Sequence, residues 1–355
     1  MPARVRDGLK FQGVQMRLKV ATTKIRILAS THSTDCNVTA ASVLIAFTAV
    51  SVYCGAGLRA SWSLPLQILD TTGQSYYENA YTLIDLSAED LVEALPDLRG
   101  LEPAADQQLL PRIMSEVGKS AEESYQKFTE IIADEQVTHE QYGPDCHLEK
   151  TAHQEFSYLI IPHNEPGLER TDEYRLGVDG KSVEGPALEA PLTEGFASLF
   201  ALFYPESQSG SRFRYLGQLR SGESASHLIG FAQRPGWSTF RGKVNWGNRS
   251  VLVMYQGVAW IDAATHKILK MRLDLLKPRL DVKLEMQTTE IRFGEVHISD
   301  AASSALWVPL RLNVTTAWNG QVFRDQHLYS NYRLPGANTK IKSVPEETVP
   351  PPKTN

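Results

Sequence analysis

Residues 266–275 read His-Lys-Ile-Leu-Lys-Met-Arg-Leu-Asp-Leu. His266, Ile268, Lys270, Arg272 and Asp274 alternate with Lys267, Leu269, Met271, Leu273 and Leu275, so one set of side chains is mostly apolar and the other mostly charged. Period 2 is the mark of a half-buried strand, because successive side chains in an extended chain point to opposite faces. The same alternation recurs in Val251, Val253 and Tyr255, in Ile291 and Phe293, and in Leu310, Leu312, Val314, Thr316 and Trp318. Turn residues separate these runs: Asp179-Gly180, Ser221-Gly222, Asp262 to Thr265, and Asn319-Gly320. Strands that follow one another through short turns predict an antiparallel meander over 150–334, curling into a half-barrel or barrel.

Upstream the period lengthens toward 3.6. Leu91, Leu95 and Leu98 recur after a capping-like Ser87 and Asp90, then Leu109, Ile113 and Val117 form a stripe that ends at Gly118. A further run opens with a capping box at Ser120 and Glu123 and carries Tyr125, Phe128, Ile131 and Ile132. Three amphipathic helices over 87–135 are predicted, each with one apolar stripe that must pack on something. The fold class expected is therefore α+β, a curved antiparallel sheet packed with N-terminal helices. Residues 59–86 read as a linker, and the Pro-rich stretch 335–355 as a disordered tail.

The 355-residue chain has an ordinary globular composition, 42% hydrophobic and 22% charged, which excludes collagen-like, wholly disordered and disulfide-scaffold classes. Its net charge of −5 is uneven. Residues 1–38 hold seven basic groups against Asp7 and Asp35, leaving 29 basic and 39 acidic residues in the rest, a balance of −10. An acidic body argues against nucleic acid as a partner. From Cys36 to Leu58 there is no charge. A basic flank before an apolar run reads as a signal peptide or membrane anchor over 1–58, with membrane contact through 36–58 if the segment is retained. The small residues Cys54-Gly55-Ala56 favour cleavage near Ala56. Removal of the head would leave Cys146 as the one cysteine of the body, which excludes a disulfide framework there.

Motifs for catalysis are missing. His139-Glu140-Gln141-Tyr142-Gly143 has glycine where a zinc-binding helix needs its second histidine. His139, Cys146, His147, His153 and His163 crowd one region without a metal-ligand spacing. Ser124 and Lys127 form an S-x-x-K without its companion motifs, and no G-x-S-x-G, P-loop or G-x-G-x-x-G occurs. The reading expects no cofactor, no metal and no catalytic residue. What stands out is the aromatic and Met content of the strands. Trp246, Met254, Trp260, Met271, Phe293 and Trp318 are candidates to line a pocket for an acyl chain, with ordinary core packing as the competing role for each.

SRFRYLG at 211–217, FAQRPG at 231–236, QGVAWID at 256–262, KILKMRLDLLKPR at 267–279, QTTEIRF at 287–293, WVPLRLNV at 307–314, Asp172 to Arg175, and the helical stretches at 106–118 and 128–136 resemble a family of exported bacterial proteins of unassigned function. The passage at 256–275 is more distantly similar to the lipoprotein-carrier fold of LolA/LolB-type proteins. That resemblance implies an open barrel closed by helices, a periplasmic or envelope location, and a hydrophobic ligand or lipoprotein as partner. The alternatives are a structural or regulatory envelope protein without a ligand cavity, and an exported hydrolase.

Overall fold

In a strand, each side chain that enters a core must be followed by one that leaves it, and this rule orders most of the chain. The computed structural model describes residues 75–127, 131–165, 168–177, 192–193, 199, 201–222, 224–238, 242–246, 249–298 and 305–334. Its strands are β1 (Glu102–Pro103), β2 (Ile131–Tyr142), β3 (Leu148–Glu165), β4 (Leu168–Leu176), β5 (Leu192–Thr193), β6 (Ser211–Ser221) and β7 (Ser224–Gln233), then β8 (Gly242–Trp246), β9 (Arg249–Val253), β10 (Tyr255–Asp262), β11 (Ile268–Leu275), β12 (Leu284–His297), β13 (Ala305–Trp318) and β14 (Gln321–Arg333). Eleven of them form one antiparallel sheet in the order β1-β6-β7-β10-β11-β12-β13-β14-β2-β3-β4, and β5-β8-β9 form a small second sheet. The large sheet is open, with β1 and β4 at its edges. Register shifts in β6–β7, β10–β11, β12–β13, β14–β2 and β2–β3 bend it, since a bulge locally kinks a strand and increases its twist.

The Asn319-Gly320 turn forms as its sequence predicts. Both residues have positive φ, 52° and 75°, and join β13 to β14 as a two-residue hairpin. Asp262 builds the β10–β11 turn: its Oδ1 accepts from the backbone of Ala264 and Thr265 and from the Thr265 hydroxyl. Asp179-Gly180, the head at 1–58 and the tail at 335–355 lie outside the described residues.

The helical region differs from the three-helix expectation. α1 (Ala88–Ala94) is capped by Ser87, whose Oγ accepts from Asp90 N at 3.1 Å. The second and third runs are one helix, α2 (Leu110–Lys127). Gly118 does not end it. A Cβ there would lie 2.9 Å from Gln208 Nε2 and 3.3 Å from Pro205, so glycine serves the close approach of α2 to the 203–208 turn. Ile131 and Ile132 belong to β2, so the large sheet takes in residues well before 150. Their strand was hidden because the inward positions that follow include Glu135, His139 and Gln141, which break the apolar alternation.

Two faces result. The inner face carries α2, whose Ile113, Met114, Val117 and Ala121 share one buried core with Ile131, Tyr158, Ile229, Phe231, Ala259, Met271, Leu273, Ile291, Leu312, Val314 and Tyr329. The outer face of β6, β7, β10 and β11 is crossed by a strap, residues 75–98. Leu83 N donates to Gln256 Oε1 (2.7 Å), Arg214 donates to the carbonyls of Ile84 and Leu86 (2.9 and 2.6 Å), and Lys270 pairs with Asp97. The strap lies so close that a Cβ on Gly230 would stand 2.9 Å from Ile84 Cγ2. This cover explains why Arg272, on the charged side of the 266–275 alternation, is 4% exposed: it donates to Asp274 at 2.9 and 3.1 Å.

The alternation in β13 also shifts phase. Arg292 pairs with Arg311 and Phe293 with Pro309, so Leu310 is the extra residue of a bulge and is 38% exposed while Leu312 is buried. In the turn between β2 and β3, Cys146 has φ 62°.

Candidate functional site

The six residues read as a pocket lining do not share one surface. Met271 and Phe293 lie in the inner core beside α2, and Trp318 packs against the same core while its indole N–H donates to Val282 O at 3.0 Å. Met254 belongs to a separate cluster with Tyr77, Ile84, Ala232 and Leu276, under the strap. Trp260 is on the outer face. It pairs in register with Lys270, one residue out of phase with the inward pair Ala259 and Met271, and the Lys270 ammonium stands 4.8 Å from its ring. Nothing is described of the Trp246 side chain. His139 and His153, read together as metal-type residues, are separated by the pleat: His139 is buried inward, and His153 is exposed against Thr138 Oγ1 at 3.1 Å. Ser124 of the S-x-x-K run donates to Ser120 O at 2.7 Å within α2.

The inner face changes character where β13 meets β14, β2, β3 and β4. Here the inward positions are polar and buried. Glu135 accepts from Arg175 Nε at 2.6 Å and Nη2 at 3.0 Å, and its Oε1 lies 2.8 Å from His327 Nδ1. Beside it, Asp325 Oδ1 lies 2.9 Å from His139 Nδ1, and His139 Nε2 lies 3.0 Å from Gln154 Oε1. Tyrosines close the set: Tyr158 bonds Glu173, Tyr332 bonds Pro309 O, and Tyr329 stacks on His327 with 13° between rings.

Burial pushes the Glu135 carboxyl up, but the Arg175 guanidinium and His327 outweigh it and hold it at about 2. Burial pushes down on Arg175 and Glu135 more than offsets that, raising it. The tyrosines are pushed up chiefly by desolvation. These groups stay ionised or neutral respectively at physiological pH, and Glu135 and Asp325 are each engaged with cationic or imidazole partners rather than facing one another across a cleft. Among the described residues, no three His, Cys, Asp or Glu side chains converge as a metal would need.

Sequence reading missed this cluster. Its members are up to 192 residues apart. The available signal was local: Glu135, Val137 and His139 on one strand, and Asp325, His327 and Tyr329 on another, are spaced at i, i+2, i+4 and so lie on one face.

No family model matches the chain, and no curated protein does either. Among solved structures, a LolA superfamily protein from Nitrosomonas europaea matches at 13% identity and TM-score 0.30, covering 64% of this chain and 97% of that one. A candidate outer membrane lipoprotein-sorting protein domain from Vibrio parahaemolyticus matches at 11% identity and TM-score 0.35, over 63% of this chain and 93% of that one. A DUF1329 family protein from Desulfovibrio piger matches at 12% identity and TM-score 0.31, over 61% and 92%. No helix among the described residues is long and apolar enough to cross a membrane.

Proposed function

We propose that the chain is an exported envelope protein, without catalytic activity, whose curved sheet takes up an acyl chain, a lipid or the lipid part of a lipoprotein on its inner face. The observation that carries this is the way that face is covered. An open sheet presents an apolar surface from β7 to β13, covered among the described residues by the amphipathic α2, by Leu199, Leu202 and Phe203, and by Val244, Val251 and Val253 of the small sheet. The outward residues of α2, Arg112, Ser115, Lys119 and Glu123, are exposed, so one side of the helix faces solvent while the other packs on the sheet and the 203–208 turn. Its 18 residues are about 27 Å long. A bilayer leaflet is about 15 Å thick, so displacing α2 would uncover a trough longer than an acyl chain in a membrane. Met271, Phe293 and Trp318 would touch such a ligand; Trp260 and Met254 would not. The basic head and apolar run at 1–58 support export.

Native mass spectrometry of gently purified protein, with titration of a fluorescent fatty acid, tests the reading. Co-purifying lipid or saturable binding near one equivalent is expected. No lipid and no uptake, together with a stable protein partner in pull-downs, would replace it with the role of a structural or regulatory envelope protein.

A further inference from the structure

The ring of His327 lies within the buried polar cluster of the inner face. Its Nδ1 meets Glu135, whereas its Nε2, on a residue 2% exposed, has no hydrogen-bond partner among the described residues. A buried polar atom left without a partner costs about 1–3 kcal/mol, so it calls for an explanation in the molecule's working state. The neighbouring groups are matched among themselves. Both nitrogens of His139 have partners, Asp325 Oδ1 and Gln154 Oε1. Arg175 balances Glu135 through two hydrogen bonds. With Nδ1–H donating to Glu135, the Nδ1–H tautomer of His327 presents a lone pair at Nε2.

We infer that His327 Nε2 accepts a hydrogen bond from a hydroxyl or amide N–H on an otherwise apolar ligand, an inference that rests on the ligand reading above. The surroundings fit a neutral amphiphile. Leu312 and Val137 flank His327 in register, and Tyr329 stacks on it. Arg175 is committed to Glu135, and the carboxylates of Glu135 and Asp325 disfavour an anionic headgroup nearby. The class of ligand is therefore a long-chain alcohol, acylglycerol or N-acyl amide in preference to a free fatty acid.

The test uses the full chain, with dodecanol, dodecane and dodecanoate competing against a fluorescent naphthalene sulfonate probe. Dodecanol is expected to bind about tenfold more tightly than the other two, the effect of one satisfied buried acceptor. His327→Phe, which keeps a ring and removes the acceptor, should bind dodecanol and dodecane equally. His327→Gln should recover part of the preference through its amide oxygen. Nitrogen NMR of the wild-type imidazole gives a readout independent of the variants' folding: the Nε2 resonance should move with dodecanol and not with dodecane. Equal affinities in the wild type, a preference that survives in His327→Phe, or an unmoved Nε2 resonance would overturn the assignment while leaving uptake of apolar ligands standing. Failure of all three compounds to bind would overturn both.

Discussion

Glu135 shows how one side chain couples the sheet to pH. Its folded-state value of about 2 lies below the ordinary 4.5, so the stability it contributes is complete above pH 4.5 and is lost as pH falls through that range toward 2. The shift corresponds to about 3 kcal/mol. In denaturant titrations between pH 2 and 6, the wild type should lose stability over this window, and Glu135→Gln should lose correspondingly less. At pH 7 the same variant should be less stable by about 3 kcal/mol, because Arg175 keeps its charge without a partner. An equal pH slope in both proteins would show that the pair carries no such coupling. The cluster around Glu135 was illegible in the sequence for a physical reason: each polar residue acquires its partner only when distant strands pair. Trp260 was misjudged for a related reason, since alternation tells which residues share a face but not which face is inside when both are covered.

At the scale of elements, turn chemistry was the most readable feature. Asn319-Gly320 needs positive φ at both positions, which few residue pairs tolerate, and the structure has it there. Strands with apolar inward positions, such as β11, were equally plain, and β2 was lost because its inward residues are polar. Bulges are the other blind spot, as they shift phase without any distinctive residue. Leu310 and Leu312 measure that effect. Leu312→Asp should destabilise the protein by several kcal/mol because it buries an unpaired charge, roughly 3 or more. Leu310→Asp should change stability by less than about 0.5 kcal/mol. Thermal unfolding of the two variants decides it, and comparable losses would mean the bulge lies elsewhere. The strap at 75–98 belongs to this scale too: it turns the outward side of a half-buried strand into an interior, and Arg272 pairs with Asp274 accordingly.

For the whole molecule, the contrast between the sheet and its helix matters most. β12 and β13 are hydrogen-bonded along both edges, whereas α2 is held by its apolar stripe, by Gln208, whose Nε2 donates to Met114 O at 3.0 Å, and by Gln107 just before it, whose amide bonds both backbone groups of Tyr215 at 2.8 and 2.9 Å. Local opening follows the extent of buried apolar contact. In native-state hydrogen exchange the α2 amides should therefore exchange well before those of β12 and β13, and a bound fatty acid should widen that difference. Protection of α2 equal to that of β13 would mean the helix is a fixed part of the core and the trough is never uncovered.

The pairing of β14 with β2 has a consequence for how the chain is made. β2, β3 and β4 are contiguous in sequence, yet the strand that attaches them to the rest of the sheet, β14, comes last among the described strands and so is made after them. Until residues 321–333 emerge, the edge of β2 lacks its neighbour, and Glu135 and His139 lack His327 and Asp325. Pairings between distant residues are slow to form, and edges that wait for them invite wrong partners. Polar groups along that waiting edge give it poor material for sticking to other chains. The same ion pairs that fix the finished sheet would thus guard its assembly from end to beginning.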